Sequence, residues 1–213
     1  MDILELDRTA VLETVRLLEH ATPEDWERPT PCAGWDLRRL VAHMAGQHHG
    51  FAAAAAGGGS DLAAWQDRPL GDHGLATYRA STEIVLGTFA EQGVLTREFS
   101  LPEISTELRF PATVAIGFHF LDYVVHGWDV AQALGVELNL SEKTAEAALL
   151  FALRVPDDER RLGPEAQFAP SLPAGAGKGS LDLILAALGR STDWHATGAV
   201  PPPRTLQEHH RDR

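Results

Sequence analysis

Four ionisable side chains interrupt an otherwise apolar stretch, FHFLDYVVHGWDVAQALG at residues 118–135. They are His119, Asp122, His126 and Asp129. Between residues 112 and 136 the chain has no Lys, Arg or Glu, residues that a helix facing water usually carries. We therefore predict a largely buried helix, in which each imidazole and carboxylate needs a partner because an unpaired buried charge costs several kcal/mol.

Helical spacing gathers these four residues on one side of the helix. At about 100° per residue they fall within an arc of roughly 80°. Asp122 and His126 are four residues apart and therefore adjacent, and imidazole nitrogen and carboxylate oxygen both bind divalent cations. The pair therefore predicts two of the three ligands of a metal site. The alternative is that both side chains are only hydrogen-bonded or solvated. His119 is expected to be a satisfied core histidine, and Asp129 to form local hydrogen bonds.

A third ligand is expected from another helix, because bundles build metal sites from facing helices. The best candidate is His43 in DLRRLVAHMAGQ, residues 36–47. It lies at the edge of the buried face of that segment, about 100° from its centre. His48 and His49 are less favoured, because GQHHG is typical of a more solvated face.

Apolar periodicity, together with Pro and Gly between the segments, predicts a mostly helical chain. The fold class expected is all-α, an antiparallel four-helix bundle with one or two additional C-terminal helices. The segment 94–110 favours a brief strand pairing or an extended crossover. Residues 1–195 are predicted to form one domain, followed by a disordered tail over 196–213. The predicted helices cover 4–20, 35–56, 73–91, 111–135, 141–155 and 180–189.

Composition narrows the classes of partner. The formal charge of −12, without any run of Lys or Arg, argues against nucleic acid and anionic membranes. Cys32 is the one cysteine, which excludes an intramolecular disulfide and fits a reducing cytosol. It is expected to be a packing residue of its turn, with a reactive thiol as the alternative. No segment resembles a signal peptide or a membrane span, so a cytoplasmic protein is expected.

Two longer motifs carry a family resemblance. TPCAGWDLRRLVAHMAGQ (30–47) and LDYVVHGWDVAQALG (121–135) resemble the actinobacterial DinB-like metal-binding proteins. These are relatives of the N-terminal domain of mycothiol-dependent maleylpyruvate isomerase. The ending LDLILAALGR (181–190) is also similar to the end of those chains.

The resemblance implies a four-helix bundle that holds a divalent metal at one end. The resemblance implies zinc as the first choice of metal and nickel as the alternative. A set of two histidines and one carboxylate is also compatible with iron. The family's ligands fall on His43, in its LVAH context, and on Asp122 and His126, the carboxylate-x3-His pair. The isomerase relatives carry Glu where this chain has Asp122, and the shorter arm changes its reach.

Three protein ligands leave at least one position of the ion open. The resemblance implies that a small thiol such as mycothiol binds there as a thiolate. The function expected is a metal-dependent and thiol-dependent transferase or isomerase-like enzyme with a small-molecule substrate. The alternative is a non-catalytic bundle with a structural metal or a small-ligand-binding role. The isomerases have a separate C-terminal domain, so their reaction is not carried over, and a homodimer is compatible with the family.

Overall fold

Six α-helices form most of the structure, a computed structural model that describes residues 2–163, 166–175 and 177–196. Apart from its first residue, the tail predicted over 196–213 lies outside the described residues. In chain order the helices are α1 (Ile3–Leu18), α2 (Leu37–Ala55), α3 (Gly74–Phe89), α4 (Ala112–Leu134), α5 (Glu142–Ala152) and α6 (Ser180–Ala187).

The ends of these helices follow from capping residues. The Asp36 carboxylate accepts a hydrogen bond of 2.7 Å from the backbone N–H of Arg39 and begins α2. Ser141 caps α5 in the same way. Gly135 closes α4 with a φ of 66°, in the left-handed region that glycine adopts without a Cβ clash. The helix starts and stops expected from the sequence are confirmed to within a few residues.

A short antiparallel strand pair connects α3 to α4. The strands β1 (Glu98–Ser100) and β2 (Arg109–Pro111) pair with Phe99 opposite Phe110. Phe99 is fully buried, which fixes this crossover against the bundle. The brief pairing expected within 94–110 is confirmed.

Helix α4 is central to the bundle. It packs against α1, α2 and α5, and 18 of its 23 residues are buried. The Tyr123 hydroxyl of α4 donates a hydrogen bond of 2.5 Å to the carbonyl of Met44 in α2. Helices α1 to α4 form the bundle, and α5 and α6 are the additional C-terminal helices, so the predicted all-α class is confirmed. Within the described part of the chain, the helices are too short or too polar to span a membrane.

The prediction that His48 lies on a solvated face of α2 is wrong. His48 is 0% exposed, and its Nδ1–H donates a hydrogen bond of 2.8 Å to Ser81 Oγ on α3. The glycines beside it mark close contacts rather than solvent. A Cβ at Gly50 would lie 2.3 Å from the Trp65 ring, so only glycine lets that ring rest on the helix. Helix α2 is therefore covered on a side that its sequence presents as polar.

Candidate metal centre

Two of the predicted ligand residues, His43 and Asp122, each lie beside the third, His126, where the first half of α2 faces α4. The ring centroids of His43 and His126 are 5.8 Å apart. On α4, His126 Nε2 lies 3.4 Å from Asp122 Oδ1. Within the described residues these three are not among the groups whose ligand atoms all lie within 4.8 Å of one another, so their binding to one ion stays a prediction.

Both histidine rings are held by a carboxylate at Nδ1. His43 Nδ1 lies 3.2 Å from Asp67 Oδ1, and His126 Nδ1 lies 2.9 Å from Asp129 Oδ2. Since a carboxylate only accepts, Nδ1 of each ring donates the proton. Each Nε2 is then the atom left for an ion, which is the usual arrangement of metal-binding histidines.

The candidate site is buried on the side of His126 and partly exposed to solvent on the side of His43 and Asp122. His126 is 6% exposed, whereas the side chains of His43 and Asp122 are 24% and 26% exposed. The Trp35 ring flanks His43 at a centroid distance of 5.0 Å, and the Arg39 guanidinium lies 4.7 Å over Trp35. A small molecule could therefore reach the outer side of the site without unfolding the bundle.

The charges around His126 favour a cation. Burial opposes a charge on its ring, but the Asp122 carboxylate and the hydrogen bond to Asp129 outweigh burial and raise the pKa of His126 well above its usual value. Burial also opposes the charge of Asp129, yet Arg190 and the hydrogen bond from His126 lower the pKa of Asp129 to about 2. Asp129 is therefore a carboxylate across the physiological pH range.

Glu103, in the loop between β1 and β2, adds another carboxylate near the site. It accepts a hydrogen bond of 3.0 Å from Gln47 Nε2, one helical turn beyond His43. Partial burial of the carboxyl group raises the pKa of Glu103, while Gln47 and the charge of His43 act in the opposite direction. The sequence contains no indication of Glu103, because its surroundings have an ordinary loop composition.

A different group of metal-binding atoms lies on the Nδ1 side of His126. Cys32 Sγ, His126 Nδ1 and an oxygen of Asp129 are all within 4.8 Å of one another. However, the Arg190 guanidinium already neutralises Asp129, with Nε 3.0 Å from Oδ1 and Nη2 2.9 Å from Oδ2. The proton of His126 also occupies this side. The Nδ1 side of His126 is therefore an unfavourable position for a further cation.

Cys32 and Arg190 have contacts that their local sequence did not predict. The Cys32 thiol donates a hydrogen bond to Asp129 Oδ2 at 3.3 Å, so it does more than pack within its turn. Arg190 reaches Asp129 across 61 positions of the chain. A single arginine after the last helix gives no local signal of such a contact, although it closes the LDLILAALGR motif.

His119 does not join the site. Its Nδ1–H donates a hydrogen bond of 2.6 Å to Asp7 Oδ1 of α1, and both side chains are fully buried. The expected core position of His119 is confirmed, but the ring is only half satisfied, because its Nε2 has no hydrogen-bond partner within the described residues. Asp129 forms the expected local hydrogen bond, to His126 one turn earlier in α4.

The model of the mycothiol maleylpyruvate isomerase N-terminal domain matches residues 8–131. The chain belongs to this family. The matched range contains His43, Asp122, His126 and Asp129, whereas Arg190 lies outside it. The family resemblance expected from the two long motifs is thus confirmed.

Similarity to known proteins extends over nearly the whole chain. Two uncharacterized proteins of Mycobacterium tuberculosis are 26% identical over 196 residues, covering 90% of this chain and 99% of theirs. Crystal structures of the mycothiol-dependent maleylpyruvate isomerase and of a histidine-to-alanine mutant match with a TM-score of 0.61. Their identities are 15% and 13%, over 95% of both chains, so the likeness is one of fold and extends beyond the family domain.

Proposed function

We propose that this protein is a metal-dependent enzyme that uses a small thiol of the mycothiol type in a transferase or isomerase-like reaction on a small molecule. The observation that carries the proposal is the pair of histidines, His43 and His126, whose Nδ1 atoms are each held by a carboxylate. The Asp122 carboxylate lies beside the remaining nitrogen of one of them. The description of the family to which the chain belongs includes mycothiol, which supports the use of a mycothiol-type thiol. We also propose that the protein is cytoplasmic.

Two imidazoles and one carboxylate fit a divalent transition metal. His43 Nε2, His126 Nε2 and a carboxylate oxygen of Asp122 would hold the ion. This ligand set suits zinc first and leaves nickel and iron as alternatives. When bound, the ion would act as a Lewis acid and hold a thiol as its thiolate at neutral pH.

The chain's own residues supply orientation and access around the ion. Asp67 and Asp129 fix the two imidazole rings through their Nδ1 protons. Trp35 and Arg39 border the open side next to His43, where an aromatic face and a guanidinium would contact an incoming substrate. Each of these groups acts on geometry or on binding, and none requires a change in the helices.

The alternative is a bundle whose metal is only structural. It is favoured by the position of the site, which joins α2 to α4. It is disfavoured by the number and exposure of the ligands, since structural zinc sites are usually closed by four protein ligands. Here three residues are the proposed ligands, and two of them, His43 and Asp122, are about a quarter exposed in their side chains.

Elemental analysis of protein purified without a metal-affinity tag tests the ion. We expect about one equivalent of a transition metal per chain in the wild type, and its loss in His126→Ala. His49→Ala is the matched control, since it changes a histidine of α2 outside the candidate site and should retain the metal. A metal content below about a tenth of an equivalent, unchanged by His126→Ala, would contradict the proposal.

Cobalt substitution tests the thiol. In a Cys32→Ser background the protein has no thiol of its own, so any sulfur-to-cobalt charge-transfer absorption must come from an added thiol. We expect mycothiol to produce that absorption and His126→Ala to abolish it. Metal binding without the absorption, combined with strong destabilisation by a chelator, would favour the structural alternative.

A further inference from the structure

Asp129 is the most heavily hydrogen-bonded side chain beside the candidate metal centre. It is fully buried and accepts from His126 Nδ1, from Arg190 Nε and Nη2, and from Cys32 Sγ. Both of its oxygens are therefore occupied. The carboxylate cannot rotate away from His126 without breaking its pairing with Arg190.

We propose that Arg190 and Asp129 are positioning residues of the metal centre. Arg190 holds the Asp129 carboxylate, which keeps the proton of His126 on Nδ1 and aims Nε2 at the ion. The inference rests on the proposed function and deepens it, because it names the residues outside the ligand set that control metal affinity.

The guanidinium of Arg190 suits this role better than an ammonium would. Its Nε and Nη2 contact the two oxygens of Asp129 at 3.0 and 2.9 Å, which is a bidentate pair. A lysine supplies the positive charge but not two N–H donors in a fixed planar geometry, so the Asp129 carboxylate would be freer to rotate. The Arg190 side chain is 12% exposed, so solvent screens the pair little.

The turn after α6 directs Arg190 into the bundle. Gly189 has a φ of 74°, and the backbone N–H of Arg190 donates a hydrogen bond of 2.8 Å to the carbonyl of Leu185. A Cβ at Gly189 would lie 2.7 Å from the carbonyl oxygen of Pro170, so glycine is required in this turn. A segment outside the matched family domain therefore completes the surroundings of the metal ligands.

Zinc affinity, measured by competition with a chelator, is the first test. We expect Asp129→Asn and Arg190→Gln each to weaken zinc binding by about 10- to 100-fold, the usual effect of losing an orienting partner. Arg190→Lys should give an intermediate loss. Arg160→Gln is the matched control, because Arg160 pairs with Asp158 in an exposed ion pair and should leave zinc affinity unchanged.

The tautomer of His126 is the second test, and a purely structural role of Arg190 would not change it. Nitrogen NMR of the zinc-loaded wild type should show His126 protonated at Nδ1, with that proton exchanging slowly. Arg190→Gln should speed the exchange, and Arg190→Lys should restore it in part. If Arg190→Gln does not fold, Arg190→Lys and Asp129→Asn provide the comparison.

The two proposals fail in distinguishable ways. Zinc binding to the wild type, with the same affinity and His126 tautomer in Arg190→Gln, would overturn the positioning role and leave the metal centre intact. A wild type that does not bind zinc, nickel or iron would overturn the proposed function and this inference with it. A large loss of affinity in Cys32→Ser would place the ion on the Nδ1 side and also contradict the inference.

Discussion

Two histidines on α4, His119 and His126, lie seven residues apart and have the same arrangement at Nδ1 but different surroundings at Nε2. Each donates its Nδ1 proton to a carboxylate, Asp7 for His119 and Asp129 for His126. His119 Nε2 is buried and has no hydrogen-bond partner within the described residues. His126 Nε2 instead faces Asp122, at the open edge of the bundle.

Aromatic rings enclose the inner histidine. The His119 ring stacks on Tyr123 at a centroid distance of 4.3 Å, and His48 stacks on the same tyrosine at 4.6 Å. Such contacts leave no path to solvent for an ion or a substrate. The two histidines share a carboxylate at Nδ1, and the accessibility of Nε2 is what distinguishes the candidate ligand His126 from the core residue His119.

The largest expected effect separates the two histidines by metal affinity. His126→Ala removes a ligand and should weaken zinc binding by more than the ~100-fold typical of losing an orienting partner. His119→Ala should leave the zinc affinity of the folded protein unchanged. Chelator competition on both variants measures this difference, and equal losses in the two would break the comparison.

The free energy of unfolding should distinguish the two histidines in the opposite sense, with the larger effect at His119. His119→Ala leaves the Asp7 carboxylate buried without its partner, and breaking a buried pair in this way costs about 3 to 5 kcal/mol. Urea denaturation of the metal-free protein measures the free energy of unfolding. Asp158→Asn, in an exposed ion pair, is the control and should change little. A stability of His119→Ala equal to that of the wild type would show that the buried pair is not structural.

The protonation of the buried His48 should make the free energy of unfolding depend on pH. Burial, and then the neighbouring charges of His119 and His49, lower the pKa of His48 well below its usual value. The unfolded chain takes up a proton near pH 6.5 that the native state does not, so stability falls as the pH drops below that value.

The expected contribution of His48 is a slope of up to about 1.4 kcal/mol per pH unit below pH 6.5, and none well above it. His48→Asn should reduce the slope, because the amide retains a donor to Ser81 without titrating in this range. Urea denaturation at several pH values between neutrality and mild acid provides the measurement. An unchanged slope in the variant would show that His48 is not neutral in the native state.

The smallest expected effect concerns the length of one ligand arm. Asp122→Glu lengthens the side chain by one methylene group, and the Asp122 side chain is 26% exposed, which leaves room for a longer arm. We expect zinc affinity to stay within about tenfold of the wild type, since the donor type is unchanged. Asp122→Asn is the contrast, because it removes the charge at constant length and should weaken binding more. A larger loss with Glu would show that the α4 backbone is set for the shorter arm.

The sequence predicted those features that depend on local geometry. The pairing of Asp122 with His126 follows from a spacing of four on a helix, and the burial of α4 follows from its lack of Lys, Arg and Glu. His43 was predicted from its place at the edge of the buried face of α2, together with the family motif. Each of these inferences needs only one helix at a time.

The rest depends on contacts between distant parts of the chain. Arg190 and Cys32 reach Asp129 from 61 and 97 positions away, and no periodicity carries that information. The exposure of His48 was predicted wrongly for a related reason. The small residues that surround it allow close helix and ring contacts in three dimensions, although the same letters are typical of a solvated segment.

The hydrogen bond from Tyr123 to the Met44 carbonyl has a consequence for the kinetics of metal exchange. Tyr123 follows Asp122 in the chain, and Met44 follows His43, so the bond ties together the two helices that carry the candidate ligands. The spacing between α2 and α4 is then set before an ion arrives, and little ordering is required on binding. Uptake and release of an ion would then require no movement of α2 relative to α4.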